Sequence, residues 1–175
     1  MRIGSIILSL LIAVVLVSGT PLKASAQIDE ALVQVDGLAC PFCAYGLEKK
    51  LKKVEGVEKL EINVNRGAIK ITVKEGKTLS IEEVEKAVKD GGFTPREISL
   101  TVTGRLTERD GRTMLTISGS EETFLVESNE QLRKIKEALK GGEKAVRLTG
   151  KVSRERVEGH AGHPYVLTAE QFKVL

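Results

Sequence analysis

Between residues 60 and 73 the chain alternates apolar and polar residues on both sides of one short turn. Leu60, Ile62 and Val64 alternate with Glu61 and Asn63, Asn65-Arg66-Gly67 follows, and Ile69, Ile71 and Val73 alternate again. A period of two puts each apolar set on one face of a strand, and three turn-forming residues between such runs predict a β-hairpin. A directly joined strand pair with one apolar face needs further strands and a covering layer. That requirement governs how the neighbouring segments are read.

Ala31 to Val35 is a short strand-like run. Cys43 to Val54 then places Leu47, Leu51 and Val54 on one helical face before Glu55-Gly56. Beyond the hairpin, Ser80 and Glu83 form an S-x-x-E capping box for a second helix whose apolar face is Ile81, Val84, Ala87 and Val88. Gly91-Gly92 stops that helix, and a last strand runs from about Arg96 to Leu100. The order βαββαβ predicts an α+β fold: a ferredoxin-like two-layer sandwich with both helices on one face of an antiparallel sheet.

Cys40 and Cys43, the only two cysteines, stand at the junction of the first strand and first helix, in Gly37-Leu38-Ala39-Cys40-Pro41-Phe42-Cys43. Two thiols at this spacing can converge on one soft metal ion or close into a reactive disulfide, whereas a structural bridge normally ties distant segments together. The first is expected on a loop and the second at a helix N-terminus, where the macrodipole and free N–H groups favour a thiolate. Two soft ligands with no histidine or carboxylate beside them suit Cu(I) or Hg(II), which accept near-linear thiolate coordination. Zn(II) and Cd(II) fit this donor set less well. Asp36, before Gly37, reads as a turn residue rather than an oxygen ligand.

These landmarks resemble the heavy-metal-associated domain, the family of copper chaperones, of the N-terminal modules of metal-pumping P-type ATPases and of the periplasmic mercury-binding protein. The resemblance covers about residues 31–99. It rests on the Cys-x-x-Cys after the first strand, on Gly56-Val57 after the first helix and on Gly92-Phe93 after the second. It implies metal ligation by Cys40 and Cys43, and for Phe93 a shielding position beside the metal loop that is equally compatible with an ordinary core aromatic. Leu38 stands where the family usually has methionine, a side chain that packs inward, so only a small repacking cost is expected. A rival resemblance lies in Cys-Pro-Phe-Cys itself, which is similar to the active pairs of glutaredoxins and periplasmic thiol oxidases. Thiol–disulfide oxidoreductases of that kind place a helix between their second and third strands, and here Asn65-Arg66-Gly67 joins two strands directly. They also need a cis-proline facing the cysteines, for which Pro95 is the candidate.

Residues 1–26 read as a secretory signal peptide: Met1-Arg2, an apolar stretch from Ile6 to Val17 and Ala24-Ser25-Ala26 as a small-x-small cleavage pattern. The apolar core is well short of the roughly 20 residues a membrane span needs, so no stable membrane insertion is expected after cleavage. No cysteine follows the site, which argues against a lipid anchor. The expected compartment is secreted, such as a periplasm. Of the 27 Lys and Arg, Arg2 and Lys23 lie in this leader, which leaves 25 against 24 Asp and Glu. A balance near neutrality, scarce aromatics and no tryptophan argue against a nucleic-acid partner.

From Leu100 onward the pattern changes. Strand-like runs at Leu100–Leu106, Met114–Ser118 and Thr123–Val126 precede a helix, and runs at Ala145–Val152 and Tyr165–Phe172 follow it. The helix is expected to be capped by Ser128 and Gln131, to face Leu132, Ile135 and Leu139 inward, and to stop at Gly141-Gly142. Three strands, a helix and two strands is the order of an OB-like β-barrel, with Gly104 and Gly150 at the bends that close it. Residues 27–99 and 100–175 are thus expected as two domains. With no flexible linker between 98 and 101, they pack closely or share a strand direction. His160 and His163, the only histidines, sit in a polar segment as His-x-x-His. They form a candidate second site for Cu(II), Ni(II) or Zn(II), able to receive an ion from Cys40 and Cys43, against the simpler expectation of a solvated loop.

The sequence reading is an exported, non-enzymatic protein that captures a soft cation and passes it to a membrane transporter, a P-type ATPase or another metal chaperone. An alternative keeps the fold and makes the C-terminal barrel the functional half, docking a partner.

Overall fold

The computed structural model describes residues 27–117, 123–140, 145–154 and 165–175. The leader, Gly141-Gly142 and the segment holding His160 and His163 lie outside the described residues. Among the described residues no helix is long and apolar enough to cross a membrane.

The first six elements follow the βαββαβ order: β1 (Gln27–Asp36), α1 (Pro41–Leu51), β2 (Val57–Asn63), β3 (Ala68–Val73), α2 (Ile81–Asp90) and β4 (Thr94–Arg109). Their strands lie antiparallel in the order β2-β3-β1-β4. The β2–β3 hairpin forms where the alternation demands it, with Leu60 opposite Ile71 and Ile62 opposite Ile69. Val64 differs from expectation, because it opens a turn of 3-10 helix, Val64–Arg66, instead of ending the strand. The cause is local: the Asn63 side-chain oxygen accepts the Arg66 N–H at 3.1 Å, and Gly67 takes φ 56°. Ser80 caps α2 as expected, its hydroxyl accepting the Glu83 N–H at 3.3 Å, and Ile81, Val84, Ala87 and Val88 are buried.

β4 is one strand of 16 residues, where two strands meeting near Leu100 were expected. Thr94–Thr103 pairs with β1, Arg105–Arg109 pairs with β5 (Arg112–Thr116), and Ile98–Arg105 pairs with β7 (Ala145–Arg154). Because β1 and β7 bind the same stretch, they occupy opposite edges of β4. The boundary expected between residues 99 and 100 therefore falls inside a strand that both halves use. Asp110-Gly111 turns β4 into β5 with φ 52° and 72°, the paired positive values that a two-residue hairpin turn requires. Onward, β5 pairs with β6 (Thr123–Val126), β6 runs parallel to β8 (Tyr165–Val174), and β8 pairs with β7, which brings the pairings back to β4.

α3 (Glu130–Leu139) lies between β6 and β7 and buries Leu132 and Ile135. Its N-cap is Asn129 rather than Ser128. The Asn129 carboxamide accepts the Leu132 N–H at 2.9 Å and donates to the Ala169 carbonyl at 2.9 Å, so it caps the helix and ties it to β8 at once. A serine hydroxyl is too short to do both. Apolar side chains from both halves form one continuous core, reaching from Leu47 and Ile71 through Leu100 and Val102 to Leu115, Phe124 and Leu148. Each such buried aliphatic contributes about 1.5–3 kcal/mol.

Gly150 lets β7 and β8 approach where their register slips between Thr149 and Gly150. A Cβ added there would lie 2.2 Å from the Thr168 carbonyl oxygen, backbone that cannot swing aside. Gly150→Ala is expected to destabilise the protein by about 2 kcal/mol, read as a lower urea midpoint, with an unchanged midpoint refuting the tight approach.

Candidate metal-binding loop

The loop between β1 and α1 owes its shape to three residues. Gly37 takes φ 83°, which turns the chain off the strand. Leu38 is 3% exposed and anchors the loop in the core, so the leucine replaces a methionine with no polar role lost. Pro41 occupies the first helical turn, where its missing N–H costs nothing.

Because Pro41 starts the helix, Cys40 is itself the N-cap of α1, where a loop position was expected, and Cys43 lies in the first turn. Both sulfurs thus sit at the positive end of the helix dipole, next to unpaired backbone N–H groups. Both thiols are free; Cys43 is exposed and Cys40 partly so. The Cys40 sulfur closes no capping bond of ordinary geometry. It is nevertheless held below its ordinary pKa, first by the Cys43 backbone N–H, then by the Cys43 thiol and the Phe42 N–H, against a smaller effect of burial. Cys43 is pushed up, first by its hydrogen bond to Cys40, then by burial and by the Cys40 charge. The two thiols are thus shifted in opposite directions.

The Arg96 guanidinium holds one oxygen of the Asp36 carboxylate across the β1–β4 pair. Among the described residues no group of three or more His, Cys, Asp or Glu side chains could hold a metal. The donor set at this loop is therefore two sulfurs. Phe93 is partly buried against the core and lies beside the loop, its ring 3.8 Å from where a Gly37 side chain would begin, so it is both core aromatic and neighbour of the loop. Thr94-Pro95 is trans, and Pro95 is paired with Val35 in the sheet, which removes the cis-proline a thiol oxidoreductase would need.

Sequence reasoning missed the exposed aromatic rim. Phe42 is 90% and Tyr45 59% exposed, both on the first turns of α1 beside Cys43, and Lys49 lies 4.5 Å over the Tyr45 ring. The spacing of 42, 45 and 49 on one helical face was the available signal. His160 and His163 lie outside the described residues. Their segment begins after Arg154 and ends before Tyr165.

The family model for the heavy-metal-associated domain matches residues 32–94. Those residues form a heavy-metal-associated domain. The copper chaperone CopZ of Staphylococcus haemolyticus is 26% identical over 62 residues, which is 35% of this chain and 90% of that protein. CopZ of Staphylococcus aureus is 23% identical over 64 residues, 37% of this chain and 93% of its own length. Among solved structures, a CopZ metallochaperone superposes with a TM-score of 0.36 at 21% identity, covering 38% of this chain and 98% of that one. A copper-binding domain from the P-type ATPase HMA7 gives 0.36 at 22% identity, covering 39% and 92%.

In the reduced protein the two thiols of this domain are expected to titrate in order, Cys40 below the ordinary thiol value and Cys43 above it. A lowered folded pKa at Cys40 favours the fold above the unfolded thiol value, an advantage lost as pH falls through the folded one. At Cys43 the sign is opposite, with the advantage held at low pH and lost as pH rises through the folded value. Side-chain Cβ shifts followed by NMR check the order, and Cys43 ionising first would contradict the hydrogen-bond arrangement.

Proposed function

We propose that this protein captures a soft cation, Cu(I) before Hg(II), as cargo between Cys40 and Cys43, and passes it to a metal transporter such as a P-type ATPase or to another metal chaperone. The observation that carries this reading is a two-sulfur donor set at the exposed N-terminus of α1 within a heavy-metal-associated domain. The copper chaperones to which the chain is similar support copper over mercury. Two thiolates leave the ion coordinatively unsaturated, so a partner thiolate can add as a third ligand before one of the original sulfurs departs. Exposed Cys43 is the sulfur a partner reaches. Release is then exchange between equals, with no protein bond broken before a new one forms.

Phe42 and Tyr45 supply the apolar rim that such a partner covers. Fully covering an exposed aromatic returns a few kcal/mol of association energy, while neither ring offers the metal a donor.

For the remainder we propose the OB-like barrel. Its support is the return of the pairings β4-β5-β6-β8-β7 to β4, the parallel β6–β8 pair and the helix after the third strand. We also place the protein in an exported compartment, on the strength of the leader pattern in residues 1–26. There, metal bound across Cys40 and Cys43 would protect the pair from oxidation to a disulfide.

Mass spectrometry of the reduced protein with one equivalent of Cu(I) is expected to show a 1:1 adduct that Cys40→Ser and Cys43→Ser each abolish. A surviving adduct in either variant would sink the reading. Separately, Phe42→Ser is expected to leave that adduct intact and to slow copper transfer to an acceptor HMA domain about tenfold. Unchanged transfer would show that the rim is not covered.

A further inference from the structure

Arg109 and Arg112 face each other directly across the β4–β5 ribbon, on either side of the Asp110-Gly111 turn. Like charges at directly opposed positions destabilise a strand pair. Among the described residues the arginines that hold carboxylates are Arg96, Arg147 and Arg154. Arg105, Arg109 and Arg112 hold none. The nearby carboxylate of Glu108 is committed on the other face of the ribbon, accepting from the buried Thr113 hydroxyl at 3.0 Å and from Lys136 at 2.7 Å. A local rule is broken here, and Asp110, in the turn between the two arginines, forms an ion pair with neither, which is a mark of a site built for something outside the fold.

Register defines the surface these arginines frame. Arg105 stands opposite Thr116 and Thr107 opposite Met114, while Met114 in turn is opposite Leu125. The alternate residues Leu106 and Leu115 pack into the core, so the arginines, the threonines and the half-buried Met114 and Leu125 share the outer face. Beside it opens a cleft of about 270 Å³ whose lining includes Arg112, the Glu108-paired Lys136, Glu127, which accepts from the Thr168 hydroxyl, and the apolar Leu125, Leu132 and Val166.

We infer that this face of β4, β5 and β6 docks an acidic polypeptide segment, independently of the metal loop. Guanidinium forks at Arg105, Arg109 and Arg112 match carboxylates in pairs, and binding relieves the repulsion that the free protein carries. The apolar floor of the cleft receives a side chain between the carboxylates. No aromatic residue lies on this face, so a nucleic acid, equally anionic, finds nothing on which to stack a base. β5 lies between β4 and β6, and β6 between β5 and β8, and the recognition we infer runs through the side chains of this face.

Fluorescence anisotropy of a labelled oligoglutamate titrated with the full chain tests this. Saturable binding that weakens with salt is expected, and Arg109→Glu with Arg112→Glu should weaken it at least about tenfold. Lys50→Glu with Lys53→Glu, both exposed, at the end of α1 and in the turn after it, should leave it within about twofold. Equal losses in the two double variants would reduce the effect to net charge and overturn the proposal. So would an oligothymidylate of the same charge, or vesicles rich in phosphatidylglycerol, binding as tightly as oligoglutamate. Arg109→Glu alone turns the like-charged pair into an opposite one, so its melting midpoint should equal or exceed the wild type while binding falls. A lower midpoint, or undiminished binding, contradicts the inference.

Discussion

β4 is hydrogen-bonded on both edges through its central stretch, and the rest of the molecule is arranged around that fact. Residues Ile98–Thr103 pair with β1 and β7 at once, so the same stretch of backbone completes the first sheet on one edge and begins the second half on the other. Separating the halves would strip an entire edge of a central strand, leaving buried backbone donors and acceptors unpaired at a cost of about 1–3 kcal/mol each. No hinge can form under that constraint. Side chains reinforce it at two places. Asp29 of β1, whose side chain is only 15% exposed, takes Thr103 and Arg147 at 3.0 Å each, and Arg154 of β7 reaches Glu85 of α2 at 2.8 Å and the Tyr165 hydroxyl at 3.0 Å. The pairs themselves add little energy where exposed, but they fix how the strands and helix meet.

The metal loop inherits its chemistry from this rigidity. Asp36 pairs with Thr94 at the start of β4, and Arg96, two residues on, takes its carboxylate. A carboxylate beside the sulfurs would harden the donor set toward Zn(II); held by Arg96, it leaves two thiols. Their asymmetry follows from the helix start. Pro41 fixes where α1 begins, Cys40 falls on the N-cap, and the N–H groups of Phe42 and Cys43 turn toward its sulfur.

What could be read from the chain before its structure was what short-range physics decides. The hairpin through Leu60 and Ile71, the Ser80 cap and the inward Leu38 depend on residues within a few positions of one another. The continuity of β4 was not legible, because Glu97, Ser99 and Thr101 alternate with Ile98, Leu100 and Val102 much as they would in two abutting strands; only the simultaneous pairing with β1 and β7 joins them. Asn129 was passed over for Ser128 because an S-x-x-Q pattern is local, whereas the bond from Asn129 to Ala169 spans 40 residues. Asp110-Gly111 is a hairpin signal that the sequence itself carries. For the cysteines, residue type and spacing were enough to locate the site, but the division of labour between Cys40 and Cys43 needed the N–H directions that only the folded helix supplies.

A shared, unhinged strand also sets the distance between the two surfaces at its ends. Thr94 lies beside the metal loop and Arg109 at the far turn, fifteen steps apart. At about 3.3 Å per residue that is roughly 50 Å along the strand, less whatever its twist removes. A segment of fewer than about ten residues held at the arginine face therefore does not reach Cys43, and the loop stays open to thiolates from elsewhere. Tethering at one end while exchanging metal at the other raises the effective concentration of the acceptor without adding a contact at the sulfurs. A flexible linker would let the two ends drift toward each other. A continuous β-strand does not.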